Sequence, residues 1–115
     1  MSALPLDAAT VLQALELPLE HEPVDPEQVV DGSPTRGVAA LTEIDDWEIG
    51  VWEITPGTVT DVEVEEVFIV LTGRAILRRD DGSETLLVAG SVGRLDDGEE
   101  TEWEVHETLR KIYIA

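Results

Sequence analysis

Residues 55–73, which read TPGTVTDVEVEEVFIVLTG, constrain the fold of this chain more than any other segment. A Pro-Gly pair predicts a turn, an acidic stretch follows it, and an apolar run then leads to Gly73. Side chains alternate between the two faces of a strand, so even-numbered residues of the run 67–71 share the face of Glu66 and odd-numbered residues lie opposite. Both faces are therefore apolar and both need cover. One face would line a small β-barrel, and N-terminal segments or a second subunit would cover the other.

The chain from Arg36 onward predicts almost only β-strands. Turn signals recur about every 8–12 residues, a spacing typical of a barrel or sandwich. The Asp81-Gly82 pair between two strand-like runs predicts a two-residue hairpin. We therefore expect an all-β, antiparallel fold over residues 36–115. The predicted strands are residues 37–42, 47–54, 62–71, 74–79, 84–89, 91–95, 101–105 and 108–114.

Residues 1–35 precede the barrel and predict a short helix and an extended arm. Asp7 is a suitable N-cap, and apolar side chains follow it at roughly helical spacing, so we expect a helix over residues 7–17. Residues 18–35 contain four prolines, which predicts an extended arm with one short strand around residues 28–30. With 115 residues the chain can build one core and not two, so we expect a single domain overall.

Charge and composition exclude several classes of function. The chain has 26 acidic and 7 basic residues and a formal net charge of -19, which excludes nucleic acid and anionic membranes as partners. The acids are dispersed along the chain, which favours a solvated acidic surface. Such a surface serves solubility or reflects a salt-rich cell interior. No cysteine is present, so disulfides, thiolate metal sites and thiol nucleophiles are excluded. No apolar run approaches the ~20 residues of a membrane span, and we expect a cytoplasmic protein.

Strand alternation in TEWEV, residues 101–105, separates an inner face from an outer one. Thr101, Trp103 and Val105 share one face and should point inward. His106 falls on the opposite face and should meet solvent. Trp103 is therefore the tryptophan that we expect to contact a ligand.

Other candidate side chains have simpler interpretations. His21 lies among acidic residues of the arm and reads as a solvated surface histidine. Trp47 and Trp52 read as core residues of a small barrel. Arg78 and Arg110 could bind a carboxylate substrate, but outward salt bridges with the many acids are the stronger expectation.

The order of several motifs resembles a known family over about residues 25–115. VVDGSPTRG, GVWEITPG, EEVFIVLTGRAIL and TEWEVHETLRKIYI occur in that order. They resemble the small single-domain cupins grouped with the ureidoglycine aminohydrolase cupin domain and the ethanolamine-utilisation cupins. The resemblance implies a small antiparallel cupin β-barrel of the jelly-roll type. It does not fix an activity, because one such scaffold hosts many functions.

The resemblance also implies where a metal would bind. Metal-binding cupins place two histidines shortly before a glutamate that stands seven residues before a glycine, as Glu66 stands before Gly73. The first two histidine positions fall within residues 59–62, which read VTDV, and the third falls on Thr101. Only Glu66 of the four family ligands remains. One carboxylate with one hydroxyl is a poor site for a transition metal, so we expect no metal and no cofactor.

An oxygen-only site for a hard cation is the alternative that these residues leave open. Asp61, Glu63 and Glu66 could supply its carboxylates. Strand alternation counts against this site, because Glu66 would not share a face with the other two unless a bulge intervened.

Three functions follow as hypotheses, and the sequence does not decide whether the protein is an enzyme. In the first, a metal-free cupin binds a small polar molecule through Glu66, Thr101 and Trp103. In the second, a metal-dependent enzyme similar to ureidoglycine aminohydrolase acts on a small nitrogen-rich or keto acid. In the third, a homodimeric structural or regulatory domain fills its barrel with side chains. We expect a homodimer because both faces of residues 67–71 are apolar.

Overall fold

Two long antiparallel strands organise the fold. A computed structural model describes residues 4–115. In it, β6 (Glu66–Arg79) pairs with β9 (Glu100–Ile114) along most of their length. A 3-10 turn spans Pro26–Gln28. The remaining strands are β1 (Glu22–Pro23), β2 (Val29–Asp31), β3 (Thr35–Ile44), β4 (Trp47–Ile54), β5 (Gly57–Val62), β7 (Glu84–Leu87) and β8 (Val92–Leu95).

All pairings between these strands are antiparallel, and the sheet curls on itself as in a cupin barrel. The strand order is β1-β3-β4-β9-β5-β2, and β6 pairs with β7, β8 and β9. The first half of β9 lies between β5 and β6, and its second half lies between β4 and β6. The predicted all-β antiparallel fold is confirmed. Among residues 4–115, no helix is long and apolar enough to cross a membrane.

Both long strands join pairs of shorter predicted strands. The predicted strands 62–71 and 74–79 merge into β6, whose pairing with β9 shifts register between residues 70 and 75. Gly73 lies at this irregularity with φ 100°, and a side chain there would collide with the Thr108 carbonyl oxygen. β5 was not predicted. The predicted strand 62–71 assumed that residues 62–65 continue into β6, whereas the chain leaves the sheet at residues 63–65.

The predicted helix over residues 7–17 is wrong. Asp7 does accept a hydrogen bond from the Ala9 backbone, but only isolated turns follow. A helix here would leave the Ala14 carbonyl without a donor, because residue 18 is a proline and has no N–H. The carbonyls of Ala14 and Leu17 instead accept hydrogen bonds of 2.8 Å from Arg110. Tertiary contacts therefore override a weak local preference.

The N-terminal segment, residues 4–21, covers part of the outer face of the sheet. Leu6 donates a backbone hydrogen bond to Leu41 on β3, and Arg110 holds the segment from β9. Val51, on the same outward face of β4, is completely buried. Cover is incomplete farther along the sheet, where Val67 is 36% exposed. The N-terminal segment thus contacts the sheet at β3 and β9.

Candidate functional site

A lysine lies inside the barrel and pairs with the single surviving family glutamate. Lys111 Nζ is 2.6 Å from Glu66 Oε2, and 6% and 12% of the two side chains are exposed. Three aromatic rings surround the ammonium group, with centroids 4.8 Å away for Trp52, 4.9 Å for Phe68 and 4.8 Å for Trp103. Aromatic faces attract cations, and more strongly where water is excluded. The site therefore stabilises a charged lysine through one carboxylate and three rings.

Strand alternation explains why Lys111 points inward. It shares one face of β9 with Leu109 and Tyr113, both buried, and it pairs directly with Trp52 on β4 and Val70 on β6. In the sequence, Lys111 is notable only as part of the TEWEVHETLRKIYI motif. The same alternation that placed Trp103 inside could have identified it.

The Phe68 ring can approach this site because a glycine faces it. Gly93 on β8 pairs directly with Phe68 on β6. A side chain at position 93 would collide with the Phe68 ring. The ring packs edge-on against Trp103, with centroids 5.7 Å apart, and Trp52 lies 6.1 Å from Trp103 on the other side.

A second acid, Glu63, is buried beside this pair. Thr101 Oγ1 donates to Glu63 Oε1 at 2.8 Å, and Trp103 Nε1 donates to the same oxygen at 3.3 Å. Burial raises the pKa of Glu63 above its ordinary value, and the nearby Asp61 charge raises it further. The hydrogen bond from Thr101, the charge of Lys111 and the hydrogen bond from Trp103 oppose this rise only in part.

Only one of the two Glu63 oxygens is used by the protein. Glu63 is 8% exposed, yet its Oε2 has no hydrogen-bond partner within residues 4–115. No buried side-chain polar atom of these residues is both fully enclosed and unpaired, so Oε2 retains access to the adjoining space. It is therefore free to accept a hydrogen bond from a bound molecule.

The expectation that Glu63 and Glu66 lie on different faces is wrong. Both line the same cavity, together with Asp61. The alternation argument assumed one continuous strand, whereas residues 63–65 form a connection between β5 and β6. Backbone hydrogen bonds of 2.8 Å to Glu99 and from Gly98 hold Glu63 at this connection. Its side chain consequently turns into the barrel.

A cavity of about 70 Å³ is lined by both members of the ion pair. A second, open cleft of about 590 Å³ adjoins it and shares Gln28, Thr60 and Asp61. Of the predicted site residues, Glu66 and Trp103 line the small cavity, whereas Thr101 lines the cleft and positions Glu63. The side chains that line the small cavity are those of Val24, Gln28, Arg36, Trp52, Ile54, Val59, Thr60, Asp61, Glu63, Glu66, Trp103 and Lys111.

The residues of the barrel do not fit a transition metal. Between residues 4 and 115, no three histidine, cysteine, aspartate or glutamate side chains lie close enough together to hold an ion. The Lys111 ammonium already occupies Glu66 and would repel a second cation. His21 and His106 lie outside the cavity, where each contacts a glutamate, Glu53 and Glu104 respectively.

The arginines considered as substrate ligands form ion pairs instead. Arg78 contacts Glu84, Glu102 and Glu104. Arg110 contacts Glu53 at 3.0 Å besides holding the N-terminal segment. The expectation of salt bridges is confirmed for both.

Comparisons with known proteins agree on the fold. The chain aligns with an ethanolamine utilization protein Q from Salmonella typhimurium, so described, at 21% identity and a TM-score of 0.60, covering 70% of this chain and 68% of that one. The EutQ protein of Clostridium difficile gives 18% identity, a TM-score of 0.63 and coverage of 80% and 73%. These similarities establish the fold alone.

A protein of unknown function from Pseudomonas syringae pv. tomato is more similar, with 26% identity and a TM-score of 0.77. The alignment covers 90% of this chain but only 46% of the Pseudomonas protein, so this chain spans less than half of that protein. No curated protein sequence matched the chain. The profile of the EutQ-like cupin domain matches residues 42–113. This match covers more than half of the sequence, and the chain therefore belongs to the EutQ-like cupin domain family.

Proposed function

We propose that this chain is a metal-free cupin that binds a small polar molecule in its barrel. The observation that carries the proposal is the free Oε2 atom of Glu63, which belongs to a carboxylate that is otherwise buried beside a cavity. Because Oε2 still opens onto the cavity, a ligand can donate a hydrogen bond to it, and such a bond is stronger in the low dielectric beside a largely buried group. Trp103 and Thr101 fix the orientation of this carboxylate.

Lys111 supports the metal-free part of the proposal. Its ammonium group pairs with Glu66, so the buried carboxylate is neutralised without an added ion. The competing hypothesis, a metal-dependent aminohydrolase, requires imidazole ligands at positions occupied here by residues 59–62 and Thr101. No feature of the site favours that alternative.

The size of the cavity limits the ligand. Pockets for drug-sized ligands enclose about 300–1,000 Å³, whereas this cavity encloses about 70 Å³. Only a molecule of a few heavy atoms fits, unless part of it extends into solvent. A barrel that binds nothing is the remaining competitor, and binding experiments separate the two.

The metal-free state is tested by elemental analysis after purification without an affinity tag. We expect no stoichiometric nickel, zinc, manganese or iron, and no change in Tm with a chelator. A ligand that binds only the folded state stabilises it by about 2.7 kcal/mol at a hundredfold excess over its Kd. Stoichiometric metal whose removal lowers Tm would contradict the proposal.

Binding is tested by calorimetry with small polar probes, including acetamide, urea and glycine. We expect at least one probe to bind the wild-type protein and to bind Glu63→Gln more weakly. Glu65→Gln is the matched control, because its side chain is 57% exposed on the outer surface. If every probe fails to bind the wild-type protein, the barrel is a filled structural domain.

We also propose that the protein is a homodimer that associates through the outward face of β6 and β8. Val92 is 68% exposed there and pairs with Ile69 on β6. The exposed Val67 lies on the same face of β6, two residues from Ile69. Light scattering at micromolar concentration should report twice the mass of one chain. Val92→Glu would place like charges across the interface and should yield monomers, and a wild-type monomer would contradict this assembly.

A further inference from the structure

We propose that the ligand of the barrel cavity is a small zwitterion, whose carboxylate pairs with Arg36 and whose ammonium group donates to Glu63 Oε2. This inference rests on the proposed function, which requires only that the barrel bind some small polar molecule. Two groups that line the cavity, the Arg36 guanidinium and the Oε2 atom of Glu63, have no hydrogen-bond or ion-pair partner within residues 4–115.

Arg36 is a cation at the mouth of the barrel, and no acid of residues 4–115 pairs with it. It lies on β3 directly opposite Ile54, which is buried in the core, so its side chain belongs to the inner face, and it lines the cavity. Within residues 4–115 it makes no salt bridge, although the chain carries 26 acids. Guanidinium groups bind carboxylates in a two-pronged geometry. The free arginine is thus suited to the anionic end of a ligand.

Most basic residues of this chain form ion pairs, so an unpaired arginine is unusual here. Seven basic residues are present, and five of them form ion pairs within the described part of the chain: Arg78, Arg79, Arg94, Arg110 and Lys111. Arg36 and Arg74 are the other two. Arg74 lies on the outer surface beside His106 and does not line the barrel cavity. Arg36 is therefore the cation that is both free and placed at a cavity rich in polar atoms.

The other end of the ligand is defined by acceptors. Glu63 Oε2 is free, and Asp61 lines the same cavity. Both favour a group that donates hydrogen bonds and carries positive charge. Lys111 cannot fill this role because its ammonium contacts Glu66 and three rings.

The charges of the cavity favour a ligand that carries both a positive and a negative group. Three carboxylates, those of Asp61, Glu63 and Glu66, face two cations, Arg36 and Lys111. A simple anion would be repelled by the acidic surface of a chain with net charge -19, and a simple cation would leave Arg36 unpaired. A zwitterion satisfies both ends. Because water occupies about 30 Å³ in the liquid, the cavity of about 70 Å³ admits only a short molecule, whose carboxylate extends toward the exposed Arg36.

The test is calorimetry of the full chain with zwitterions of increasing length and with their separate halves. Glycine, β-alanine and 4-aminobutanoate are the zwitterions, methylamine and acetate are the halves, and acetamide is the neutral probe. One zwitterion should bind at least about tenfold more tightly than methylamine, acetate or acetamide. Arg36→Gln and Glu63→Gln should each weaken its binding by about tenfold or more, and Arg36→Lys should retain part of it. Arg74→Gln is the matched control and should bind as the wild-type protein does.

Two results would overturn the proposal, and they differ in what they leave standing. If acetamide or methylamine binds as tightly as every zwitterion, or if Arg36→Gln binds the zwitterion as tightly as the wild-type protein, the zwitterion is wrong and a metal-free binding barrel remains. If no probe binds, both proposals are wrong. Thermal melts identify variants that fold, and Arg36 is exposed, so its replacement leaves the core intact.

Discussion

Basic residues on the two faces of the sheet differ in their number of acidic partners and in their exposure to water. Inside the barrel, Lys111 has a single acidic partner, 6% side-chain exposure and three rings around its ammonium group. Outside, Arg78 has three acidic partners and 31% exposure. Water screens the outer cluster and competes for its hydrogen bonds, whereas nothing replaces the inner partner once it is lost. The number of acidic partners therefore does not predict how much the free energy of unfolding falls when an ion pair is broken.

The largest expected effect comes from breaking the inner pair. Lys111→Met keeps a chain of similar length but leaves Glu66 as an unpaired buried carboxylate. We expect the free energy of unfolding to fall by about 3–5 kcal/mol, as for other buried pairs that lose one member. Urea unfolding at pH 7 measures this loss.

The double variant Lys111→Met/Glu66→Gln sharpens the same comparison. It removes both charges, so it should be clearly more stable than Lys111→Met alone. A Lys111→Met protein as stable as the wild type would mean that the buried pair contributes nothing, and the contrast with Arg78 would disappear.

Arg110 provides an intermediate case, because it is 9% exposed and yet lies on the outer face. Arg110→Gln should cost about 2–3 kcal/mol through hydrogen bonds of a charged donor. It should also release the N-terminal segment, so limited proteolysis within residues 4–19 should become faster. Arg94→Gln is the control, since that side chain is 67% exposed and should behave as the wild type does.

Glu63 should show a smaller effect that depends on pH. Burial raises its pKa in the folded protein above the ordinary value of 4.5, so the folded state holds the proton more tightly than the unfolded state. Stability should therefore fall as pH rises from about 4.5 through the raised pKa. Glu63→Gln removes this loss and preserves the acceptor for Thr101 and Trp103. Its Tm should exceed that of the wild type at pH 7 by more than at pH 4, and a constant difference would contradict the assignment.

The smallest effect should come from the surface cluster. The carboxylates of Glu84, Glu102 and Glu104 hold the pKa of Arg78 above its ordinary value, and the hydrogen bond that Arg78 donates to Glu84 is the largest cause. Arg78→Gln nevertheless removes only contacts that water can replace, so we expect little change in Tm. A loss as large as that of Lys111→Met would show that exposure does not explain the difference between the two sides.

Strand alternation predicted part of the barrel interior and failed where its premise failed. It placed Thr101, Trp103 and Val105 inside, and all three are buried. The same rule misleads at residues 62–65, where the end of β5 and the connection to β6 alternate valine and glutamate as one continuous strand would. The structure exposes Val62 and Val64, at 65% and 57%, and buries Glu63. A single sequence cannot show which alternating segment leaves the sheet.

Lys111 and Arg36 were missed for a different reason. Alternation along β9 and β3 puts both on the inner face, whereas charged side chains are ordinarily expected outside. What reverses this expectation is the closure of the barrel, which brings Trp52, Phe68 and Trp103 from three strands around one ammonium group. Such convergence depends on register and curvature, which local patterns do not encode.

The enclosure of Lys111 has a practical consequence, because it is the single lysine of the chain. Amine-directed reagents can reach its side chain only when the barrel opens, since both the rings and Glu66 shield it in the closed state. The rate of its acetylation, followed by mass spectrometry, would consequently measure how often this domain opens. A domain with dispersed surface lysines offers no such measurement, whereas here one covalent label reports on one event.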